Sequence, residues 1–155
     1  MIRRSFLQAA AIALCLASLT LTSCTSAVSL PKDVKEITVA VLQERQPESV
    51  VLIDVRTPAE YARDRIGDSP LVPISDIEAG SGVKEIQAAI AQQSPDGNPV
   101  TVILYCERGF RSARAQKILE AEGIQSISLA GGIRAWRQQI PRDRDTAALS
   151  ALNRI

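Results

Sequence analysis

The apolar positions of this chain fall into short dense runs, separated by stretches in which apolar and polar residues mix. Ser49-Val50-Val51-Leu52-Ile53-Asp54-Val55 and Val100-Thr101-Val102-Ile103-Leu104-Tyr105 are nearly unbroken and rich in β-branched residues. That is the pattern of strands covered on both faces. Shorter runs at Val34–Ile37, Leu71–Ile74 and Ile124–Leu129 read as further strands. The first is a short edge strand, and Pro73 puts the second at an edge or a strand end. Between the runs the period lengthens. Thr38 can cap a short helix to about Arg45, with Val39, Val41 and Leu42 on its apolar side and Pro47 ending it. Thr57-Pro58-Ala59-Glu60 combines a capping box with proline at the first helical position, so a short helix starts there and ends near Gly67. Residues 75–83 read as a loop with two glycines. Val83, Ile86, Ala89 and Ile90 share one face of a helix to Gln92, and residues 94–99 form a dense turn cluster. Ser112 caps a helix to Glu122, stopped by Gly123. Gly131-Gly132 turns the chain into a last helix, Ile133–Gln139, stopped by Pro141. Strands alternating with helices predict a single α/β domain over residues 34–141, with a mainly parallel central sheet and helices on both faces. Residues 142–155 are left as a tail holding a frayed helix.

Composition narrows the chemistry. The 155 residues suit one domain. Aromatics make up only 3%, so the core is aliphatic, and Trp136 reads as the anchor of the last helix. There is no histidine, which removes Ser-His-Asp triads, Cys-His dyads and histidine-ligated metals. No metal and no cofactor are expected. The net charge of +1 gives no footprint for nucleic acid. Arg63, Arg134, Arg137, Arg142 and Arg144 read as a solvated face.

Residues 1–23 read as an export signal: Arg3 and Arg4 form a basic start, and Ala9–Leu21 is an uncharged, mostly apolar run too short to span a bilayer comfortably. Leu21-Thr22-Ser23-Cys24 resembles the lipobox of bacterial lipoproteins. The resemblance implies cleavage before Cys24, a lipid on Cys24, and a membrane-anchored protein facing the periplasm or cell exterior. Arg3-Arg4-Ser5-Phe6-Leu7-Gln8 also resembles a twin-arginine export motif. Residues 24–33 then form a tether. Removing Arg3 and Arg4 leaves 16 basic residues against 17 acidic ones, net −1, so the lipid rather than a polybasic patch would hold the membrane. Cys15 leaves with the signal and Cys24 is lipidated, which leaves Cys106 as the one thiol. With no second thiol to resolve it, turnover at Cys106 would need an external acceptor.

In open α/β sheets, ligands sit beyond the carboxyl ends of the strands. One strand ends at Cys106, followed by Glu107-Arg108-Gly109-Phe110-Arg111-Ser112 and a helix. Such a turn can aim its amides and the helix dipole at one point, and Cys106 stands at the start of that cradle. Amides, dipole and the Arg111 guanidinium are expected to stabilise its thiolate. Gly109 permits the loop's backbone angle. Glu107 would oppose an anion if it faced inward, so it is expected to point to solvent. Arg108 can steer a dianionic donor. Asp54 and Arg56, at a strand end, are read as structural support that fixes the neighbouring loops.

Cys106-Glu107-Arg108-Gly109-Phe110-Arg111-Ser112 resembles the active-site loop of rhodanese domains, Cys-x-x-Gly-x-Arg-Ser. Leu52-Ile53-Asp54-Val55-Arg56 with Glu60-Tyr61 resembles their first signature, and Leu129-Ala130-Gly131-Gly132-Ile133-Arg134-Ala135-Trp136 their last. The resemblance implies a single rhodanese-like domain and a sulfurtransferase. Cys106 would accept a sulfane sulfur from a small donor such as thiosulfate and pass the persulfide sulfur to cyanide or a thiol. Four residues separate Cys106 from Arg111, whereas phosphatases and arsenate reductases of the same fold have five, which favours sulfur over phosphate. A non-catalytic binding or sensing module on this fold is the alternative from another class. The chain departs from the family at Asp64-Arg65-Ile66-Gly67-Asp68-Ser69, where Gly-His-Ile-Pro-Gly-Ala is usual, so different contacts are expected near the site entrance.

Overall fold

A computed structural model describes residues 35–45 and 49–153. The signal segment, the tether and Cys24 lie outside the described residues. The sheet has four strands, β1 (Glu36–Ile37), β2 (Val50–Asp54), β3 (Thr101–Tyr105) and β4 (Ile127–Leu129), in the order β1-β4-β3-β2. Each neighbouring pair is parallel, Val50 lying opposite Thr101 and Asp54 opposite Tyr105.

The near-continuous apolar runs follow from this layering. Side chains alternate along a strand, so β2 and β3 each feed two cores. Val50, Leu52, Ile103 and Tyr105 face one side, where they meet Val39, Leu42, Ile133 and Trp136. Val51, Ile53, Val102, Leu104 and Cys106 face the other, against Ile77, Ile86, Ala115 and Leu119. The first side is covered by α1 (Val39–Arg45), α6 (Gly132–Gln139) and α7 (Asp145–Leu152). The second is covered by α3 (Ile74–Glu78), α4 (Ser81–Gln93) and α5 (Phe110–Ala121). A short α2 (Pro58–Arg63) follows β2. Helices thus lie on both faces of an all-parallel sheet. Among the described residues no helix is long and apolar enough to cross a membrane.

Three local expectations are corrected. The Leu71–Ile74 strand shrinks to one bridge, Leu71 beside Asp54; Pro70 and Pro73 remove the amides a longer ladder needs. Residues 75–83 are not a loop, because α3 occupies most of their first half and α4 starts at Ser81. The stretch after Pro141 is ordered rather than frayed. It forms a 3-10 turn at Arg142–Arg144 and then α7, whose Leu152 is buried in the first core. Trp136 donates Nε1–H to Asp145 Oδ1 at 2.8 Å, and Val50 N–H donates to Asn153 Oδ1 at 2.8 Å, so α7 is tied at both ends.

Candidate active site

Asp54, Cys106 and Ala130 each stand at or just past the carboxyl end of a strand, so the three signatures converge on one rim of the sheet. Cys106 leaves β3, and the chain turns through Glu107, Arg108 and Gly109 into α5. Gly109 has φ +104°, a conformation that glycine adopts without steric penalty. This turns its N–H onto Cys106 Sγ at 3.1 Å. The helix begins at Phe110, so Gly109 occupies the cap position and Ser112 lies inside the first turn. Ser112 is therefore not the cap expected of it. Its hydroxyl donates to the Gly109 carbonyl at 2.9 Å, lies 3.7 Å from Cys106 Sγ, and shares a 2.8 Å hydrogen bond with Ser128 Oγ.

The last signature holds the loop from behind. Ile133 N–H donates to the Cys106 carbonyl at 2.8 Å and Arg134 N–H to the Glu107 carbonyl at 3.3 Å. Those two carbonyls are pinned to α6, and two residues further on the Gly109 N–H meets the sulfur. The approach is close: a Cβ on Gly132 would lie 2.2 Å from the Cys106 carbonyl oxygen, and φ there is +59°.

Cys106 is 2% exposed, at the floor of the loop. Burial alone would suit an inert core cysteine. The Gly109 amide, the Ser112 hydroxyl and the N-terminus of α5 on its sulfur distinguish it from one.

Arg111, expected to stabilise the Cys106 thiolate, is itself held by a carboxylate. Its two terminal nitrogens donate to the two Glu60 carboxylate oxygens, both at 2.6 Å. The paired Glu60 raises the Arg111 pKa, burial opposes this, and the Cys106 sulfur adds a smaller contribution in the same direction as Glu60. The guanidinium is thus anchored to α2. Glu60 is held down to about 2, first by the Arg111 hydrogen bonds; burial opposes this, and donation from Thr57 reinforces it. The capping box is present as expected, with Glu60 Oε2 accepting from Thr57 N–H at 3.1 Å. One carboxylate therefore caps α2 and anchors the cysteine loop. The sequence reading named only its capping role; its place in the first signature was the available signal.

Asp54 and Arg56 are supports of the rim. Asp54 is fully buried and accepts from Arg56 Nε at 3.0 Å and Nη2 at 2.7 Å. Arg56 also donates to the Asp64 carbonyl. Its remaining Nη1 faces Glu107 Oε2 at 3.5 Å. Glu107 is 43% exposed and turned toward Arg56, away from the sulfur contacts, which agrees with its expected outward direction. Arg108 and Phe110 are exposed at the loop's rim.

The departing segment is wired by charge. Asp64 pairs with Arg137 at 3.0 Å and Arg142 at 2.9 Å, and Arg137 also pairs with Asp145 at 2.6 Å. Burial opposes ionisation of Asp64 and Asp145, but the guanidiniums outweigh it and hold both carboxyls below their usual range. Arg137 is only 18% exposed, so it is not part of a solvated face. Gly67 N–H donates to Asp145 at 3.1 Å, and Ser69 Oγ meets the buried Tyr105 hydroxyl at 2.6 Å. Burial first, and then the Asp54 charge, push the Tyr105 pKa up, so it stays neutral and hydrogen-bonding.

The family model described as Rhodanese-like domain matches residues 38–139. An uncharacterized Synechocystis protein, slr1261, is 33% identical over 62% of this chain and 48% of its own length. The Escherichia coli thiosulfate sulfurtransferase PspE is 33% identical over 53% of this chain and 69% of its own. The chain thus spans about half the length of the first relative and about two-thirds of the second. A Saccharomyces cerevisiae structure, Ygr203w, described as a homologue of single-domain rhodanese and the Cdc25 catalytic domain, superposes with TM-score 0.59 at 21% identity. It covers 72% of this chain and 85% of its own, and supports the fold alone. The matched region takes in all three converging signatures, and the chain belongs to the rhodanese-like domain family, a family that includes sulfurtransferases.

Proposed function

We propose that the protein is a sulfurtransferase that carries a sulfane sulfur on Cys106, from a thiosulfate-type donor to cyanide or a thiol. The observation that carries this reading is the 3.1 Å contact from Gly109 N–H to Cys106 Sγ, in a loop whose preceding carbonyls are tied back to α6. The Cys106 thiolate attacks the outer sulfur of thiosulfate. The donor's S–S bond breaks, and sulfite leaves with the electron pair. The persulfide left on Cys106 is an anion that the loop amides and the α5 N-terminus can hold without a base. An acceptor then attacks the terminal sulfur. Cyanide leaves as thiocyanate, or a thiolate leaves as its own persulfide, and the Cys106–sulfur electron pair returns to Cys106. The four-residue spacing between Cys106 and Arg111, where phosphatases of the same fold have five, favours sulfur over phosphate. A relative named thiosulfate sulfurtransferase supports the donor class.

The test is the intact mass of the full chain after incubation with thiosulfate and removal of the excess. One added sulfur is expected, lost on adding cyanide and absent in Cys106→Ser. A wild-type chain that gains no sulfur overturns the reading, in favour of a binding module; hydrolysis of aryl phosphates in its place would assign a phosphatase.

We propose also that a lipid on Cys24 holds the domain at a membrane, on the strength of Leu21-Thr22-Ser23-Cys24 after the basic and apolar segments. In cells expressing Cys24→Ala the protein should move from the membrane pellet to the soluble fraction. Retention in the pellet overturns the anchor.

A further inference from the structure

Ser128 is a polar residue in the interior of the sheet. β4 lies between β1 and β3, and Ser128 stands opposite Glu36 on one side and Leu104 on the other. Its N–H donates to the Lys35 carbonyl at 2.9 Å, so its backbone is fixed. Such a position ordinarily takes a β-branched or other apolar side chain. Here the side chain is fully buried, and its hydroxyl has one hydrogen-bond partner among the described residues. That partner is the fully buried Ser112 hydroxyl, at 2.8 Å.

The direction of this bond follows from counting hydrogens. Each hydroxyl carries one hydrogen and accepts through its oxygen. Ser112 has two other acceptors in reach, the Gly109 carbonyl at 2.9 Å and Cys106 Sγ at 3.7 Å. Ser128 has the Ser112 oxygen alone. A buried hydroxyl hydrogen without an acceptor costs free energy, so Ser128 donates to Ser112. The Ser112 hydrogen is then left to the Gly109 carbonyl or to the sulfur, and it cannot serve both. While Cys106 is a thiol, the nearer carbonyl is the better acceptor. Once the sulfur's proton has left to a base in the buffer, the thiolate is an anion beside a donor, and the Ser112 hydrogen turns to it. Donation from Ser128 polarises the Ser112 O–H and strengthens that bond. It also occupies the oxygen to which the Cys106 S–H would otherwise donate, which disfavours the thiol.

We propose that Ser128 is a positioning residue for the reactive sulfur. It acts through Ser112, orienting and polarising the hydroxyl that touches Cys106 Sγ. Ser128 prepares the thiolate whatever that thiolate attacks; only the sulfur chemistry that follows rests on the sulfurtransferase reading.

The test is the rate of Cys106 alkylation by iodoacetamide in the full chain, followed across pH by the mass of the peptide holding residue 106. Below its pH midpoint, Ser112→Ala should lower the rate about tenfold and Ser128→Ala about threefold, each moving the midpoint upward. The double variant should match Ser112→Ala within about twofold, because Ser128 reaches the sulfur only through Ser112. Ser128→Thr keeps the hydroxyl and should restore the wild-type midpoint; if its added methyl prevents folding, the double-variant comparison decides. Ser126 is the control. It is buried two residues earlier and its hydroxyl has no partner among the described residues, so Ser126→Ala should leave the profile unchanged. The charges of the loop and rim (Glu107, Arg108, Arg111 with Glu60, Arg56 with Asp54) are the same in every variant, so a moved midpoint reports the hydroxyls. Four results each overturn the proposal: a wild-type profile in Ser128→Ala, a double variant slowed a further threefold beyond Ser112→Ala, a folded Ser128→Thr without rescue, and an equal shift in Ser126→Ala. A wild-type Cys106 that iodoacetamide does not alkylate also overturns it. Loading by thiosulfate, measured alongside, should slow in the same order. A wild type that shows these alkylation shifts but takes up no sulfur upholds the role of Ser128 and overturns the sulfurtransferase reading instead.

Discussion

At the scale of single residues, Glu60 serves two elements at once. It closes the capping box of α2 and holds both terminal nitrogens of Arg111. Its carboxyl sits at about 2, below the ordinary value near 4.5, and its side chain is 18% exposed. Because the folded value is depressed, the stabilisation is fully present above the unfolded value. It is lost as pH falls from about 4.5 through about 2. Asp64 and Asp145 are shifted the same way and add to the same loss. Glu60→Gln is expected to lower stability at pH 7 by about 1.5–3 kcal/mol, the range for a hydrogen bond to a charged group. It should also reduce the difference in urea midpoint between pH 7 and pH 3. An unchanged pH difference in the variant would show that the pair contributes no linkage.

At the scale of elements, the N-terminus of α6 sets the shape of the cysteine loop. Ile133 N–H and Arg134 N–H hold two loop carbonyls, and the contact is close enough to exclude any side chain at Gly132. A Cβ there would meet backbone at 2.2 Å, with φ in the left-handed region. Gly132→Ala is therefore expected to destabilise by at least about 2 kcal/mol, and to slow sulfur loading of Cys106 by moving the loop. A variant with wild-type melting temperature and loading rate would remove α6 from the account of the site. The glycine pair was visible in the sequence as a signature and as a turn. Its partner was not, because a carbonyl contact between residues 106 and 132 leaves no trace in side-chain pattern.

At the scale of the whole molecule, the sheet separates two cores, and α7 completes the first. Leu152 is 1% exposed there, and Asp145 receives Trp136, Arg137 and Gly67 at once. Leu152→Ala is expected to cost about 2–4 kcal/mol, the range for an aliphatic side chain cut back to alanine in a core. This should lower the melting temperature; a cost below about 0.5 kcal/mol, typical of a surface change, would show that α7 does not belong to the core. The sequence did not mark this helix clearly. Asp145-Thr146-Ala147-Ala148-Leu149-Ser150-Ala151-Leu152 is dominated by small residues, and only docking on Trp136 and Leu42 selects the helical state. For the same reason Arg137 looked like a surface charge. Its two acidic partners lie 73 and 8 residues away, and only the packing of α2, α6 and α7 brings them together.

What the sequence alone determined is local or periodic. The β-branched runs dictate buried strands because both faces of a parallel sheet are covered. Thr57-Pro58-Ala59-Glu60 dictates a helix start because its partners are three residues apart. Cys106 through Ser112 dictates a strand–loop–helix turn because Gly109 can take the backbone angle that loop requires. Tertiary structure alone decided which distant groups meet: Glu60 with Arg111, Gly132 with the Cys106 carbonyl, and Asp64 with Arg137 and Asp145. The physical reason is that hydrogen-bonding and charged groups act over a few ångströms in space. Hydrophobic period and turn chemistry specify the elements, but their packing decides which charges come within that reach.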